Sequence, residues 1–163
     1  METSNWLLAR EIPAANDQLK RFAVDARHQL GMMLRKRPRL TVMILDCCRD
    51  NPFPDVTTRG LGSNGGLAEM QIPATETSFF LAYACKPKLV AGEPNPKLGY
   101  RNGYYTRQLL RNLEIPGLRL EDLFMYVKRG VISDTEKVKQ WAPDRSAQVP
   151  WDTSSMLGVM CLT

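Results

Sequence analysis

The most restrictive feature of the sequence is an uninterrupted apolar run that ends in acidic, thiol and basic side chains. Residues 41–45 are Thr-Val-Met-Ile-Leu, and residues 46–50 are Asp-Cys-Cys-Arg-Asp, with no turn residue between. A short apolar run without polar alternation is typical of a strand buried on both faces, as in a parallel α/β sheet. Ligands of such sheets bind beyond the carboxyl ends of the strands, so the sequence predicts a functional site at residues 46–49. The alternative is a core strand followed by an ordinary polar turn.

Length and composition favour one intracellular domain over residues 1–163. The hydrophobic fraction of 44% suits a globular core. No stretch approaches the roughly 18 apolar residues of a membrane span, and residues 1–20 lack the layout of a signal peptide, so we expect a soluble cytoplasmic protein without a membrane partner. The four cysteines (Cys47, Cys48, Cys85 and Cys161) show no paired metal-ligand spacing. Adjacent cysteines suit no ordinary disulfide, so we expect reduced thiols, no metal and no cofactor.

The net charge of +5 has a local explanation. Much of it comes from Arg35, Lys36, Arg37 and Arg39, which follow a predicted helix. Cations are favourable at the negative end of a helix dipole. Nucleic-acid binding would favour basic residues interleaved with aromatic ones across a face, and the sequence lacks that pattern, so no nucleic-acid partner is predicted.

Apolar spacing predicts the remaining elements. Residues 6–8 read as extended. A helix ending before Pro38 places Phe22, Ala26, Leu30, Met33 and Leu34 on one face. A second buried strand is predicted at 78–85, after a Gly- and Pro-rich loop at 54–77. Two helices follow, one at 105–113 with Leu109, Leu110 and Leu113 inward, and one at 120–131 with Leu123, Phe124 and Val127 inward. A final strand is predicted at 156–162.

Several of these segments carry a family resemblance. Residues 45–53, Leu-Asp-Cys-Cys-Arg-Asp-Asn-Pro-Phe, resemble the nucleophile motif of caspase-like cysteine peptidases, the group that includes metacaspases, paracaspases and bacterial caspase-like proteins. Further matches in the family's order and approximate spacing are Gly66–Met70, Ala82–Ala84, Asn102–Thr106, and Gln148–Trp151 followed by Ser154 and Ser155. The resemblance implies a caspase-like α/β fold, a three-layer sandwich with a mostly parallel sheet flanked by helices. It also implies a nucleophile-bearing part at 5–53 and a small-subunit-like region at 78–163.

The resemblance also implies roles for individual residues. The family's nucleophile directly precedes Arg-Asp-Asn, which places it at Cys48 and puts Cys47 where Ala is frequent. Side chains alternate along a strand, so Asp46 and Cys48 should share one face while Cys47 packs on the other. Asp46 is implied as part of the S1 pocket of a peptide or protein substrate. An acid there favours Arg or Lys at P1, and Arg59 is then a candidate self-cleavage site.

A catalytic base is harder to find in the sequence. Caspase-type enzymes carry their His about 50 residues before the Cys, and that distance from Cys48 reaches beyond Met1. The single histidine, His28, lies within the first predicted helix, where we expect a surface or packing role. Either the chain is a fragment whose His-Gly segment comes from a missing N-terminal part or a partner chain, or it is a caspase-like pseudoenzyme or protein-interaction module. The likeness of Trp6-Leu7-Leu8 to the segment after the family's His favours the fragment. A calcium requirement stays open.

Overall fold

The computed structural model describes residues 5–8, 23–46, 70, 72, 77–86, 91, 99–139 and 147–162. Its elements in chain order are β1 (Trp6–Leu8), β2 (Ala23–Asp25), α1 (Ala26–Arg35), β3 (Leu40–Leu45), β4 (Ser78–Tyr83), α2 (Tyr104–Leu113), α3 (Leu120–Lys139) and β5 (Trp151–Ser154). Most of the predicted 54–77 loop lies outside the described residues. In the described part of the chain, no helix combines the length and the apolar character needed to cross a membrane.

The sheet that positions the site has the order β3-β4-β5. Strand β3 runs parallel to β4, with Leu40 opposite Ser78 and Leu45 opposite Tyr83. Strand β5 is antiparallel to β4, while β1 and β2 form a separate antiparallel pair. The central strand β4 is apolar from Phe79 to Tyr83 and buried from Phe80 onward, because it is covered on both faces and hydrogen-bonded on both edges.

Alternating side chains of β4 build two separate cores, which makes the fold three-layered. Leu81 and Tyr83 face α1, where they pack with Leu45 and with Ala26, Leu30 and Leu34 of the helix. Phe80 and Ala82 face the opposite layer, formed by α2 and α3. Helices on both faces of a sheet that contains a parallel pair confirm the predicted three-layer α/β architecture.

An N-cap and a buried apolar stripe explain why residues 26–35 form helix α1. Asp25 provides the N-cap, its carboxylate accepting hydrogen bonds from the amides of Arg27 (2.9 Å) and His28 (3.2 Å). Ala26, Leu30 and Leu34 form the buried stripe at four-residue spacing. Met33 was predicted to be buried and is 41% exposed, because it lies to one side of that stripe.

Two expectations about buried faces were wrong. Strand β3 is not buried on both faces, since Val42 and Ile44 are 39% and 38% exposed. It lies at the edge of the described sheet. The buried strand residues in the core beneath α2 and α3, Phe80 and Ala82, come from β4, while β3 contributes the partly buried Leu40. On α2, Leu110 and Leu113 are exposed, whereas Tyr104, Tyr105 and Gln108 are buried.

The C-terminal strand also lies earlier than predicted. It spans Trp151–Ser154, and residues 156–162 are irregular apart from an isolated bridge between Arg119 and Cys161. The strand ends where pairing with β4 ends, at Ser154 opposite Phe80. Leu157, expected in that strand, is fully exposed. The backbone of this segment pairs instead with the residues that precede α3: the Leu120 amide donates to the Met160 carbonyl (2.8 Å) and the Leu162 amide donates to the Leu118 carbonyl (2.9 Å).

Helices α2 and α3 pack closely at a glycine. A Cβ atom added at Gly130 would lie 2.5 Å from Cδ and from Oε1 of Gln108. Gln108 is buried, and its amide donates to the Asp134 carboxylate, which also pairs with Arg107. The Gln108 side chain is therefore not free to move aside, and only glycine fits at position 130 without rearranging this polar contact.

Two alanine substitutions test this packing. Gly130→Ala should lower the free energy of unfolding by about 1–3 kcal/mol, because the clash outweighs the gain in helix propensity. Gly31→Ala is the matched control within α1, where an added Cβ meets nothing within 4 Å, and it should raise stability by about 0.5–1 kcal/mol. Urea unfolding followed by circular dichroism measures both. Equal stabilisation by the two substitutions would contradict the close contact.

Candidate active site

The first candidate residue, Asp46, lies at the carboxyl end of the parallel strands β3 and β4. Asp46 directly follows β3, and Ala84 directly follows β4. The Ala84 amide donates to the Leu45 carbonyl (3.0 Å), so the two chains stay paired one step beyond the last strand residues. Asp46 therefore leaves the sheet at the place where α/β folds keep their ligand sites.

The Asp46 carboxylate is exposed and held by one described partner. Its Oδ2 atom accepts a hydrogen bond from the hydroxyl of Thr106, a residue 60 positions away in the first turn of α2. That helix begins after Gly103, which offers no side-chain cap, and its first turn carries no acidic residue. Asp46 thus supplies from the sheet the negative charge that the positive end of the helix favours.

Tyr105 lies beside this contact, with 1% of its surface exposed. Its hydroxyl has no hydrogen-bond partner within the described part of the chain. Burial raises the pKa of Tyr105 most, and the negative charges of Asp46 and Asp152 raise that pKa further. The phenol therefore stays protonated, as a buried donor in the field of two carboxylates.

The two carboxylates near Tyr105 differ in their surroundings. Asp152 lies on β5 opposite Ala82 and forms an ion pair with Lys128 of α3 (2.9 Å). No described cation forms an ion pair with Asp46, and its described partner is the neutral Thr106 hydroxyl. Among the described residues, Asp46 is thus the member of the pair whose negative charge is open to a cationic ligand.

The segments that carry the family resemblance meet around this edge. The Gln148 side-chain amide donates to the Ala84 carbonyl (2.8 Å). The ring of Trp151 stacks on that of Tyr83, with centroids 5.4 Å apart. The Met70 amide donates to the Tyr83 hydroxyl (3.4 Å). Two motifs that are distant in sequence, those of Met70 and of Gln148–Trp151, therefore brace a third, the Ala82–Ala84 motif at the end of β4.

The other predicted site residues fall in different places. Cys47, Cys48 and Arg59 lie outside the described residues, so the shared face of Asp46 and Cys48 stays a prediction. His28 is exposed on α1, the helix that packs on the sheet face opposite to α2. Thr106 was not predicted as a site residue, although it ends the Asn102–Thr106 motif. The spacing within that motif gave no sign of a contact with Asp46.

Comparison with known proteins identifies the family. The sequence profile of the caspase domain family matches residues 18–160. Since the match covers most of the chain, the chain belongs to the caspase domain family, a family of cysteine peptidases. A search among curated proteins found no match.

Removing the unpartnered hydroxyl tests the environment of Tyr105. Tyr105→Phe should be as stable as wild type or about 1 kcal/mol more stable at pH 7, because a buried polar group without a partner is lost. Unfolded tyrosine ionises near pH 10, whereas the raised pKa keeps folded Tyr105 protonated, so this group destabilises wild type as pH rises above about 10. The advantage of the variant should therefore grow there by up to about 1.4 kcal/mol per pH unit.

Urea unfolding at pH 7 and near pH 11 measures this difference. Tyr126→Phe is the matched control, because Tyr126 is exposed on α3 and should behave as wild type at both values. A loss of stability in Tyr105→Phe at pH 7 would mean that its hydroxyl is hydrogen-bonded.

Proposed function

We propose that this protein is a cysteine endopeptidase that cleaves peptide or protein substrates after arginine or lysine. Membership of the caspase domain family supports the peptidase class. The observation that carries the specificity is the exposed Asp46 carboxylate at the carboxyl end of β3, held on one side by Thr106 and without a described cation beside it.

In the proposed mechanism Cys48 is the nucleophile. Its thiolate attacks the scissile carbonyl, and the negative charge of the tetrahedral intermediate is stabilised in part by the Cys48 backbone amide. Asp46 lies two residues earlier and binds the P1 side chain. Side-chain alternation predicts that Cys47 points away from Asp46 and Cys48, and we assign it a packing role.

Charge explains the proposed choice of P1 residue. Caspases that cleave after aspartate carry Gln two residues before the nucleophile, as in the Gln-Ala-Cys signature, and this chain has Asp46 at that position. A carboxylate in a partly desolvated pocket repels an acidic P1 side chain and attracts a guanidinium or an ammonium group. Such a mismatch amounts to several kcal/mol at close range.

A non-catalytic interaction module is the second candidate function. The observation in its favour is the position of the single histidine. His28 is exposed on α1, in the layer on the other side of the sheet from the Asp46–Thr106 contact. A base must come within hydrogen-bond reach of the thiol, directly or through one water molecule, and His28 is not held on that side.

Specificity is tested with paired electrophilic peptides that end in arginine or aspartate. The arginine probe should label wild type at least tenfold faster than the aspartate probe, because Asp46 attracts the cation. Asp46→Asn should remove most of this difference. In an active form we further expect cleavage between Arg59 and Gly60, which mass spectrometry detects and Arg59→Ala abolishes. Faster labelling by the aspartate probe would refute the role of Asp46.

A second experiment identifies the reactive thiol and the base. The arginine probe should label wild type and Cys47→Ala alike and should not label Cys48→Ala. In a fluorogenic arginine-peptide assay, residues 1–163 alone should show no turnover, because we identify no catalytic base for Cys48 among them. A catalytic unit that lacks its base is slower by several orders of magnitude.

His28→Ala is the control for that assay. Turnover that disappears in both Cys48→Ala and His28→Ala would make His28 the base. Turnover that disappears only in Cys48→Ala would mean that another group acts as the base. Absence of both labelling and turnover would favour the interaction module.

A further inference from the structure

The Asp46–Thr106 contact has a feature that goes beyond the proposed recognition of a cation. Asp46 is exposed, and the terminal torsion of an aspartate side chain has a broad energy profile. An exposed carboxylate without a partner therefore samples many orientations. Here one oxygen, Oδ2, is bonded to the Thr106 hydroxyl, so the plane of the carboxylate is fixed relative to α2.

Thr106 itself is held firmly. It occupies the first turn of α2, between the buried residues Tyr105 and Gln108. Tyr105 packs in the core with Ala82 and Ala84 of the sheet. Because the helix is anchored on both sides of Thr106, its hydroxyl is a fixed point from which the orientation of Asp46 is set.

The hydrogen bond leaves most of the carboxylate available. A carboxylate offers about four acceptor positions on its two oxygens. The Thr106 hydroxyl uses one of them, so Oδ1 and the second position on Oδ2 remain for a ligand. A planar guanidinium binds a carboxylate through two parallel N–H groups and needs that carboxylate in a defined plane, whereas an ammonium group is a point charge with freely rotating donors.

We propose that Thr106 is a positioning residue that orients the Asp46 carboxylate for two-point binding of arginine, and so sets a preference for arginine over lysine. This inference rests on the proposed P1 role of Asp46. Asp46 supplies the charge that attracts either side chain, and Thr106 supplies the geometry that only the guanidinium needs. Loss of the hydroxyl should therefore weaken arginine binding more than lysine binding.

The test uses ligands that need neither the thiol nor a base. N-acetyl-arginine amide and N-acetyl-lysine amide are titrated into the full chain, and dissociation constants are measured from NMR chemical-shift changes. Thr106→Val should weaken arginine-amide binding by about three- to tenfold, the range expected for one lost hydrogen bond. Lysine-amide binding should weaken by less than about twofold, and Thr106→Ser should restore the wild-type preference because it keeps the hydroxyl.

Two further variants serve as controls. Thr41→Val makes the same substitution on the other face of β3, where the buried Thr41 hydroxyl has no partner among the described residues, and it should bind both amides as wild type does. Asp46→Asn should weaken both amides by at least about tenfold, since it removes the charge.

The outcomes separate the two proposals. Equal weakening of both amides by Thr106→Val, or no weakening, together with loss of binding in Asp46→Asn, would overturn the positioning role and leave the Asp46 pocket in place. Wild-type binding by Asp46→Asn, or no binding by the wild-type chain, would overturn the pocket itself and the inference that rests on it.

Discussion

The burial of β4 on both faces is the constraint on which the rest of the structure depends. Every residue from Phe80 to Cys85 is buried, and the strand is hydrogen-bonded to β3 on one edge and to β5 on the other. A strand in this position cannot be shifted by one residue, because a shift would exchange the side chains that face α1 with those that face α2 and α3. The register of β4 therefore fixes where β3 ends, and with it the position of Asp46.

Small side chains at the end of β4 and directly after it decide how closely α2 approaches. Ala82 and Ala84 belong to the same buried cluster as Tyr104 and Tyr105. Their methyl groups leave room for the two aromatic rings that the first turn of α2 presents to the sheet, as close packing of a protein interior requires. Because that turn lies against the sheet, Thr106 comes within hydrogen-bond distance of Asp46. The core packing of Tyr104 and Tyr105 thus also sets the geometry of the Asp46–Thr106 contact.

The family motifs have structural roles that are distinct from chemistry. Gln148 and Trp151 support the end of β4 through the Ala84 carbonyl and the Tyr83 ring. Buried polar groups of this kind are expensive to leave unpaired, so each motif requires the other to be in place. This mutual dependence explains how a site can be built from segments that are more than 60 residues apart in the chain.

The sequence by itself determined the elements that local patterns specify: the α1 stripe of Ala26, Leu30 and Leu34, the buried strand β4, the inward face of α3 around Leu123 and Val127, and the acid that follows β3. These follow from side-chain periodicity, which is a property of each segment alone. Only the tertiary structure decided that Val42, Ile44, Leu110 and Leu113 are exposed, that β5 is Trp151–Ser154, and that Thr106 meets Asp46. Those outcomes depend on which neighbour covers a face and how a helix is rotated against the sheet, and no local pattern encodes a partner 60 residues away.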